Sequence, residues 1–402
     1  MMKMTSTGGL SKARLGRMHD VLAGHVEAGE LPGLVTLVSR HGEIHVDAIG
    51  NAAIGGAPMA RDTIFRITSM TKPVTAVAAM ILVEECKIRL DDAVDRWLPE
   101  LADRKVLRTI DAAIDDTVPA KRAITLRDLL TFRLGYGMIA IFPDRYPIQT
   151  AIAEAGFAPG PVFPSFPPDE LVRRYGSLPL IHQPGERWLY NSGTEILSVL
   201  IARVAGTTLG DFFRERIFDP LGMKDTAFSV PESKYDRFAT SYARDHATQK
   251  LKVFDDPVTG KFSSPPVFEN GSAGLVSTAD DFNAFAQMML NGGRLGSEHI
   301  LSRPSVELMT ADQITPEQKL GSELLLGDNR GWGFGMSVST RRDDLHNSPG
   351  RFGWDGGYGT SWYSDPNENL TGILLTQRMM DSPQPPRVMA DFWTSAYQAI
   401  DD

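Results

Sequence analysis

The sequence predicts an α/β (α+β) fold, an antiparallel sheet flanked by helices and assembled from both ends of the chain, with a mainly helical lobe inserted between them. Two observations predict it. Strand-like segments gather at the two ends: "GLVTLVSRHGEIHVDAIGNA" near the start, and "RGWGFGMSVS", "FGWDGGYGTSWYSDP" and "LTGILLTQRM" near the finish. The stretch between them is dominated by apolar residues at helical spacing. The expected division is 1–66 with 270–402 for the α/β lobe and 67–269 for the inserted lobe.

Taken in order, residues 10–29 read as an amphipathic helix with Leu10, Leu15, Met18, Leu22 and Val26 on one side. Two strands around a His41-Gly42 turn follow. The apolar run Val74 to Val83 is helical, and Pro73 is tolerated because it falls in the first turn. "TLRDLLTFRLGYG" starts as a helix and ends in a glycine turn. From about Gly137 to Pro168 the chain is rich in proline and phenylalanine, which fits either a packed surface loop or the wall of a pocket. "NSGTEILSVLIARVAGTTLGDFFRERIFDPLGM" gives two helices, the second capped by Thr208. "TADDFNAFAQMMLNGG" gives another, and a last helix is expected over 386–399.

Composition narrows the function. A net charge of −9 argues against nucleic acid or an anionic membrane as the main partner. No run approaches the ~18 apolar residues of a membrane span, and the first residues lack the apolar core of a secretory signal, so a cytoplasmic protein is expected. Cys86, the only cysteine, excludes an internal disulfide and a cysteine-rich zinc site, and reads as a free buried thiol. His41 and His45 do not share a helical face, so no metal site is expected. Neither a Gly-x-Ser-x-Gly elbow nor a glycine-rich phosphate loop is present.

One short motif carries chemistry. Ser69-Met70-Thr71-Lys72 opens the apolar helix, which puts Lys72 on the face of Ser69. A serine hydroxyl needs a proton acceptor to become a nucleophile, and a lysine serves only when desolvation lowers its pKa. The tetrad alone proves little, because 26 serines and 12 lysines among 402 residues supply about one Ser-x-x-Lys by chance. Its company is more informative. Tyr190 stands just before a helix, after a Pro-Gly turn, and Gly356-Gly357 interrupt a strand where a closely approaching backbone would require them.

With these landmarks the chain resembles the serine β-lactamase and penicillin-binding protein superfamily, and within it class C β-lactamases and family VIII carboxylesterases. "GLVTLVSRHGEI", "DTIFRITSMTKPVTA", "LRDLLT", "PGERWLYNS", "FDPLGM", "SAGLVSTADDF" and "GWGFGM" appear in that family's order and span nearly the whole chain. The resemblance implies that Ser69 is the acylated nucleophile, Lys72 its proton acceptor and Tyr190 the proton shuttle. It implies an oxyanion hole of the Ser69 and Gly357 N–H groups, and no cofactor.

Trp354-Asp355-Gly356 stands where β-lactamases have Lys-Thr-Gly, so the usual carboxylate anchor is absent. The family's Tyr-x-Asn is Tyr190-Asn191-Ser192. The expected substrate is a small neutral ester, met by Trp354, Asp355, Gly356, Phe132, Tyr136 and Trp188, with Phe142, Phe163 and Phe166 as further apolar candidates. Tyr358 and Trp362 read as sheet packing, and the roles of Arg133 and Asp355 stay open. Rival readings are a β-lactamase or D-alanyl peptidase, an amide hydrolase or acyltransferase on the same machinery, and a non-catalytic scaffold.

Overall fold

The computed structural model describes residues 8–139, 141, 143–158, 160 and 162–402. Its centre is a seven-stranded antiparallel sheet that draws two strands from the start of the chain, β1 (Gly33–Arg40) and β2 (Glu43–Gly50). Five come from the end: β3 (Arg330–Trp332), β4 (Ser337–Ser339), β5 (Phe352–Gly356), β6 (Thr360–Asp365) and β7 (Leu370–Thr376). The order is β3-β4-β5-β6-β7-β1-β2, so β1 pairs with β7 and joins the two chain ends. The β1–β2 turn has φ of 48° at His41 and 82° at Gly42, the paired left-handed conformation of a two-residue hairpin.

The helices that matter for the site are α1 (Lys12–Glu27), α2 (Thr71–Glu84), α3 (Leu126–Leu130), α4 (Pro168–Ser177), α5 (Ser192–Ala205), α6 (Ala279–Leu290) and α7 (Arg387–Gln398). β1 is buried along its whole length, and alternation splits it between two cores. Leu34 and Val38 face α1 and α7 with Leu370, Leu374, Met389 and Phe392. Val35 and Leu37 face the other way, into a larger core shared with α2, α5, α6 and Ile373. That second core makes the helical body and one face of the sheet a continuous apolar mass. Thr125 caps α3 through a capping box with Asp128, and Thr278 caps α6.

Two expectations change here. The three strand-like segments of the carboxy-terminal region form five strands, because the first two each fold back at a turn. Cys86 is exposed rather than buried: α2 ends at Glu84, and a left-handed turn with φ of 57° at Cys86 turns the chain outward. No single helix among the described residues is long and apolar enough to cross a membrane.

The segment entering the Ser69 turn is pinned by charge. The short strand Phe65–Arg66 pairs with Val276–Ser277. Arg66, only 4% exposed, donates to Asp255 Oδ2 at 2.6 Å and to Ala239 O at 2.5 Å, with its guanidinium 3.9 Å over the Phe238 ring. Removing one partner of such a pair strands a buried charge, so Asp255→Ala is expected to cost about 3–5 kcal/mol, read from urea denaturation midpoints. A cost below about 1 kcal/mol would show that water reaches Arg66 and that the pair anchors nothing.

Candidate active site

Four remote stretches converge on Ser69. Ser69 sits in the single 3₁₀ turn Thr68–Met70 that leads into α2, and Lys72 lies in the first turn of that helix. The helix is buried on nearly every side, so Lys72 is fully sealed from solvent. Its Nζ lies 3.0 Å from Ser69 Oγ and donates to Ser272 O at 2.8 Å. Burial disfavours the ammonium and lowers the Lys72 pKa to about 7, against the opposing pull of the Glu195 carboxylate. A lysine so placed is a base at neutral pH.

Tyr190 stands beside this pair. Its ring centre is 4.7 Å from Lys72 Nζ, and its hydroxyl accepts a hydrogen bond from Trp354 Nε1 at 2.7 Å. Burial raises the phenol well above its ordinary value, although hydrogen bonds from Ser69 and Trp354 favour the phenolate. Tyr190 is therefore a neutral phenol beside a partly neutral amine. It can donate one proton while receiving another, and only Lys72 is basic enough to start the transfer.

Glu195, which the sequence reading passed over, stands behind this pair. It is 2% exposed and lies on the buried face of α5, one turn after Tyr190. Its carboxylate accepts from Tyr175 Oη, from Asn191 Nδ2 at 2.8 Å and from Ser272 Oγ at 3.4 Å. The signal was present: an acid inside the apolar run of "TEILSVLIA" is costly unless it is bonded. The displaced asparagine thus has a structural partner. Its amide is committed to Glu195 while its backbone takes φ of 88°, and both hold the corner where Tyr190 meets α5.

Asn191 is one of three non-glycine residues beside the site with positive φ, the others being Thr68 at 43° and Phe132 at 58°. Each such conformation costs on the order of 1–3 kcal/mol. Thr68 precedes Ser69 and Asn191 follows Tyr190, so strain flanks both residues.

The Ser69 and Gly357 N–H groups, expected from the resemblance to form an oxyanion hole, lie where the end of β5 presses on the Ser69 turn. A side chain at Gly356 is impossible, since its Cβ would come within 2.3 Å of Ile67 O and 2.7 Å of Thr68 Oγ1. Gly357 is the reverse case, with open space beside it and a place in the cavity wall.

That cavity, about 580 Å³, reaches from Ser69, Tyr190 and Gly357 into the helical lobe. Much of its wall is the proline- and phenylalanine-rich stretch, through Met138, Ile139, Gln149, Ile152, Phe157 and Phe163, which settles that segment as pocket wall. Of the sequence candidates for substrate contact, Tyr136, Phe163, Trp354 and Asp355 line it, and Gly356, pressed against the Ser69 turn, does not. Phe132 and Trp188 do not. They are 0% and 2% exposed and pack with Trp332 behind Tyr190, so they support the tyrosine instead of meeting a substrate. Phe166 packs on Phe157 under the Arg174 guanidinium, and Phe142 lies outside the described residues. Trp362 is sheet packing against Phe282 and Phe285, whereas Tyr358 belongs both to a core cluster and to the cavity wall.

Asp355 differs most from expectation. Strand alternation sends Trp354 toward Tyr190 and the Asp355 carboxylate the other way. That carboxylate accepts from Ser361 Oγ at 2.6 Å and from Tyr363 Oη at 3.2 Å, on the side where Trp393 of α7 also bonds Ser361. Arg133 bonds Thr131 and does not offset it; the cations of that corner are Arg330, 3.4 Å from Tyr363 Oη and part of the cavity wall, and the buried Arg351, 3.8 Å over the Tyr363 ring. Trp354, expected as a substrate contact, also orients Tyr190.

The Beta-lactamase family model matches residues 18–392. The chain belongs to the Beta-lactamase family. Among relatives of this β-lactamase-family protein, the esterase EstB of Burkholderia gladioli is 30% identical over 384 residues, covering 90% of this chain and 89% of EstB. The solved structure of EstCE1, a hydrolase with promiscuous acyltransferase activity, matches with a TM-score of 0.79 at 25% identity over 96% of this chain and 99% of its own. Simvastatin synthase from Aspergillus terreus, as the LovD6 mutant, shares the fold with a TM-score of 0.79 at 22% identity, covering 96% and 95% of the two chains.

The Lys72 environment sets a pH dependence. Above about pH 7 the amine is neutral and can accept the Ser69 proton; below it the ammonium cannot. The kcat/KM profile should therefore fall on the acid side with an apparent pKa near 7. Glu195 pulls the Lys72 pKa upward, so Glu195→Gln should move that limb to lower pH. An acid limb that stays in place in the Glu195→Gln profile would mean that another group titrates there.

Proposed function

We propose that this β-lactamase-family protein is a serine carboxylesterase working through an acyl-enzyme on Ser69. The observation that carries the reading is the sealed Lys72 amine 3.0 Å from Ser69 Oγ, with its pKa lowered to about 7. Ser69 Oγ attacks the ester carbonyl as its proton passes to Lys72. The carbonyl π pair moves onto oxygen, which the Ser69 and Gly357 N–H groups stabilise. Collapse expels the alkoxide, which takes a proton from Tyr190 as Tyr190 is resupplied by Lys72. Water then repeats the sequence on the acyl-enzyme and releases the acid. EstB, an esterase by name, and EstCE1, a hydrolase by description, support this reading.

Acyl transfer to an alcohol is the second reading, favoured by the promiscuous acyltransferase activity of EstCE1 and by a cavity large enough for a sizeable acceptor. It needs no new group, only an alcohol in place of the water.

Preference for esters over β-lactams follows from Trp354-Asp355-Gly356 at the Lys-Thr-Gly position. A cephalosporin carboxylate finds neither the lysine nor the hydroxyl of Lys-Thr-Gly, because Trp354 bonds Tyr190 and Asp355 bonds β6. Losing two charge-assisted hydrogen bonds of about 1.5–3 kcal/mol each leads us to expect kcat/KM for short nitrophenyl esters at least ~10²-fold above that for a chromogenic cephalosporin. Ser69→Ala should abolish both activities and the single fluorophosphonate label. A cephalosporin value equal to the ester value would reverse the ranking, and a label that persists in Ser69→Ala would remove Ser69 as nucleophile.

A further inference from the structure

The two oxyanion amides belong to segments nearly 290 residues apart in the chain, and something must set their spacing. Two hydrogen bonds join those segments. Tyr358 N–H donates to Thr68 Oγ1 at 3.4 Å, and Thr360 Oγ1 donates to Ile67 O at 3.1 Å. Thr68 and Thr360 are 2% and 0% exposed, so neither bond competes with bulk water. Each amide sits next to an anchored residue: Ser69 follows Thr68, and Gly357 precedes Tyr358.

The residue type at 68 is the informative part. Its φ of 43° is left-handed, a conformation that glycine adopts freely and a β-branched residue adopts only under constraint. A glycine there would relieve the strain but would offer no acceptor to Tyr358. What threonine adds at this position is its hydroxyl.

Resting on the reading of Ser69 and Gly357 as the oxyanion hole, we propose that Thr68 is a positioning residue that gauges it. The Thr68 hydroxyl holds the Tyr358 N–H, Thr360 holds the Ile67 carbonyl, and together they keep both amides aimed at one developing oxyanion. Thr68 lines the cavity beside Ser69, but the role proposed here runs through the two backbones it joins.

The test compares Thr68→Gly, Thr68→Ser and Thr360→Val with wild type, using a nitrophenyl ester for kinetics, a boronic acid as a tetrahedral mimic and a fluorophosphonate for labelling. A gauged oxyanion stabiliser works in the transition state, so Thr68→Gly should lose roughly 10- to 100-fold in kcat and in boronate affinity with KM little changed. Its melting temperature should change little, because relieved strain offsets the lost buried hydrogen bond and the added chain entropy. Thr68→Ser, which keeps the acceptor, should retain most of the rate, and Thr360→Val should repeat the loss from the other side. Thr68→Gly with wild-type kcat and boronate affinity overturns the proposal. So does a Thr68→Ser variant as slow as Thr68→Gly, because the methyl group and not the hydroxyl would then matter. Wild-type labelling keeps the two readings apart: an unlabelled wild type overturns the esterase reading and this one together, whereas a labelled wild type with an unimpaired Thr68→Gly overturns this one alone.

Discussion

The site depends on one amine kept out of water. Lys72 is held by Ser69 Oγ and Ser272 O, with a carboxylate behind it and the Tyr190 ring beside it, and burial is what makes it a base. The same burial has a thermodynamic side. The unfolded chain holds the Lys72 proton up to its ordinary value of 10.5, the folded chain only up to about 7. Between those values the unfolded state binds more protons, so this group makes stability rise with pH across the window and withdraws that gain as pH falls toward 7. At neutral pH the group costs the fold several kcal/mol (order of magnitude), borne by the large core around α2 and α5.

Around that amine the architecture solves an assembly problem. Ser69, Tyr190, Ser272 and Gly357 come from a turn, a helix entrance, a loop and a strand end that are far apart in the chain. Close-packed backbones bring them together. Gly356 lets β5 reach the nucleophile turn, Arg66 pins the strand that enters it, and Asn191 bonded to Glu195 fixes the corner at Tyr190. The positive-φ residues lie at these joints, where secondary structure gives way to the reacting groups. Behind them Phe132, Trp188, Trp332 and Trp354 form an aromatic wall that leaves the Tyr190 ring little room to turn.

Much of this was legible in the sequence. Hydrophobic periodicity gave the strands at both ends and the long helices, and residue type gave the Thr208 cap, because those depend on neighbours a few residues away. The ordered landmarks singled out Ser69, Lys72 and Tyr190, which the structure brings within a few ångströms of one another. What stayed hidden needs three dimensions. Which side of a strand faces the cavity decided that Asp355 bonds β6 and that Trp354 orients Tyr190. Phe132 and Trp188 are aromatic, as a pocket residue would be, and only depth separates support from contact. The acceptor for the Lys72 amine is a main-chain carbonyl, which no residue type announces. Cys86 was misplaced because the apolar pattern of α2 runs on past the point where the helix stops.

That misplaced cysteine has a practical side. Cys86 is the only thiol in 402 residues and stands in solvent just past the far end of α2, the helix whose first turn carries Lys72. A 14-residue helix puts it roughly 20 Å from the chemistry. The native chain thus offers one attachment point for a maleimide dye, a spin label or a solid support. A label fixed there would ride on the helix that carries Lys72 without obstructing the cavity mouth.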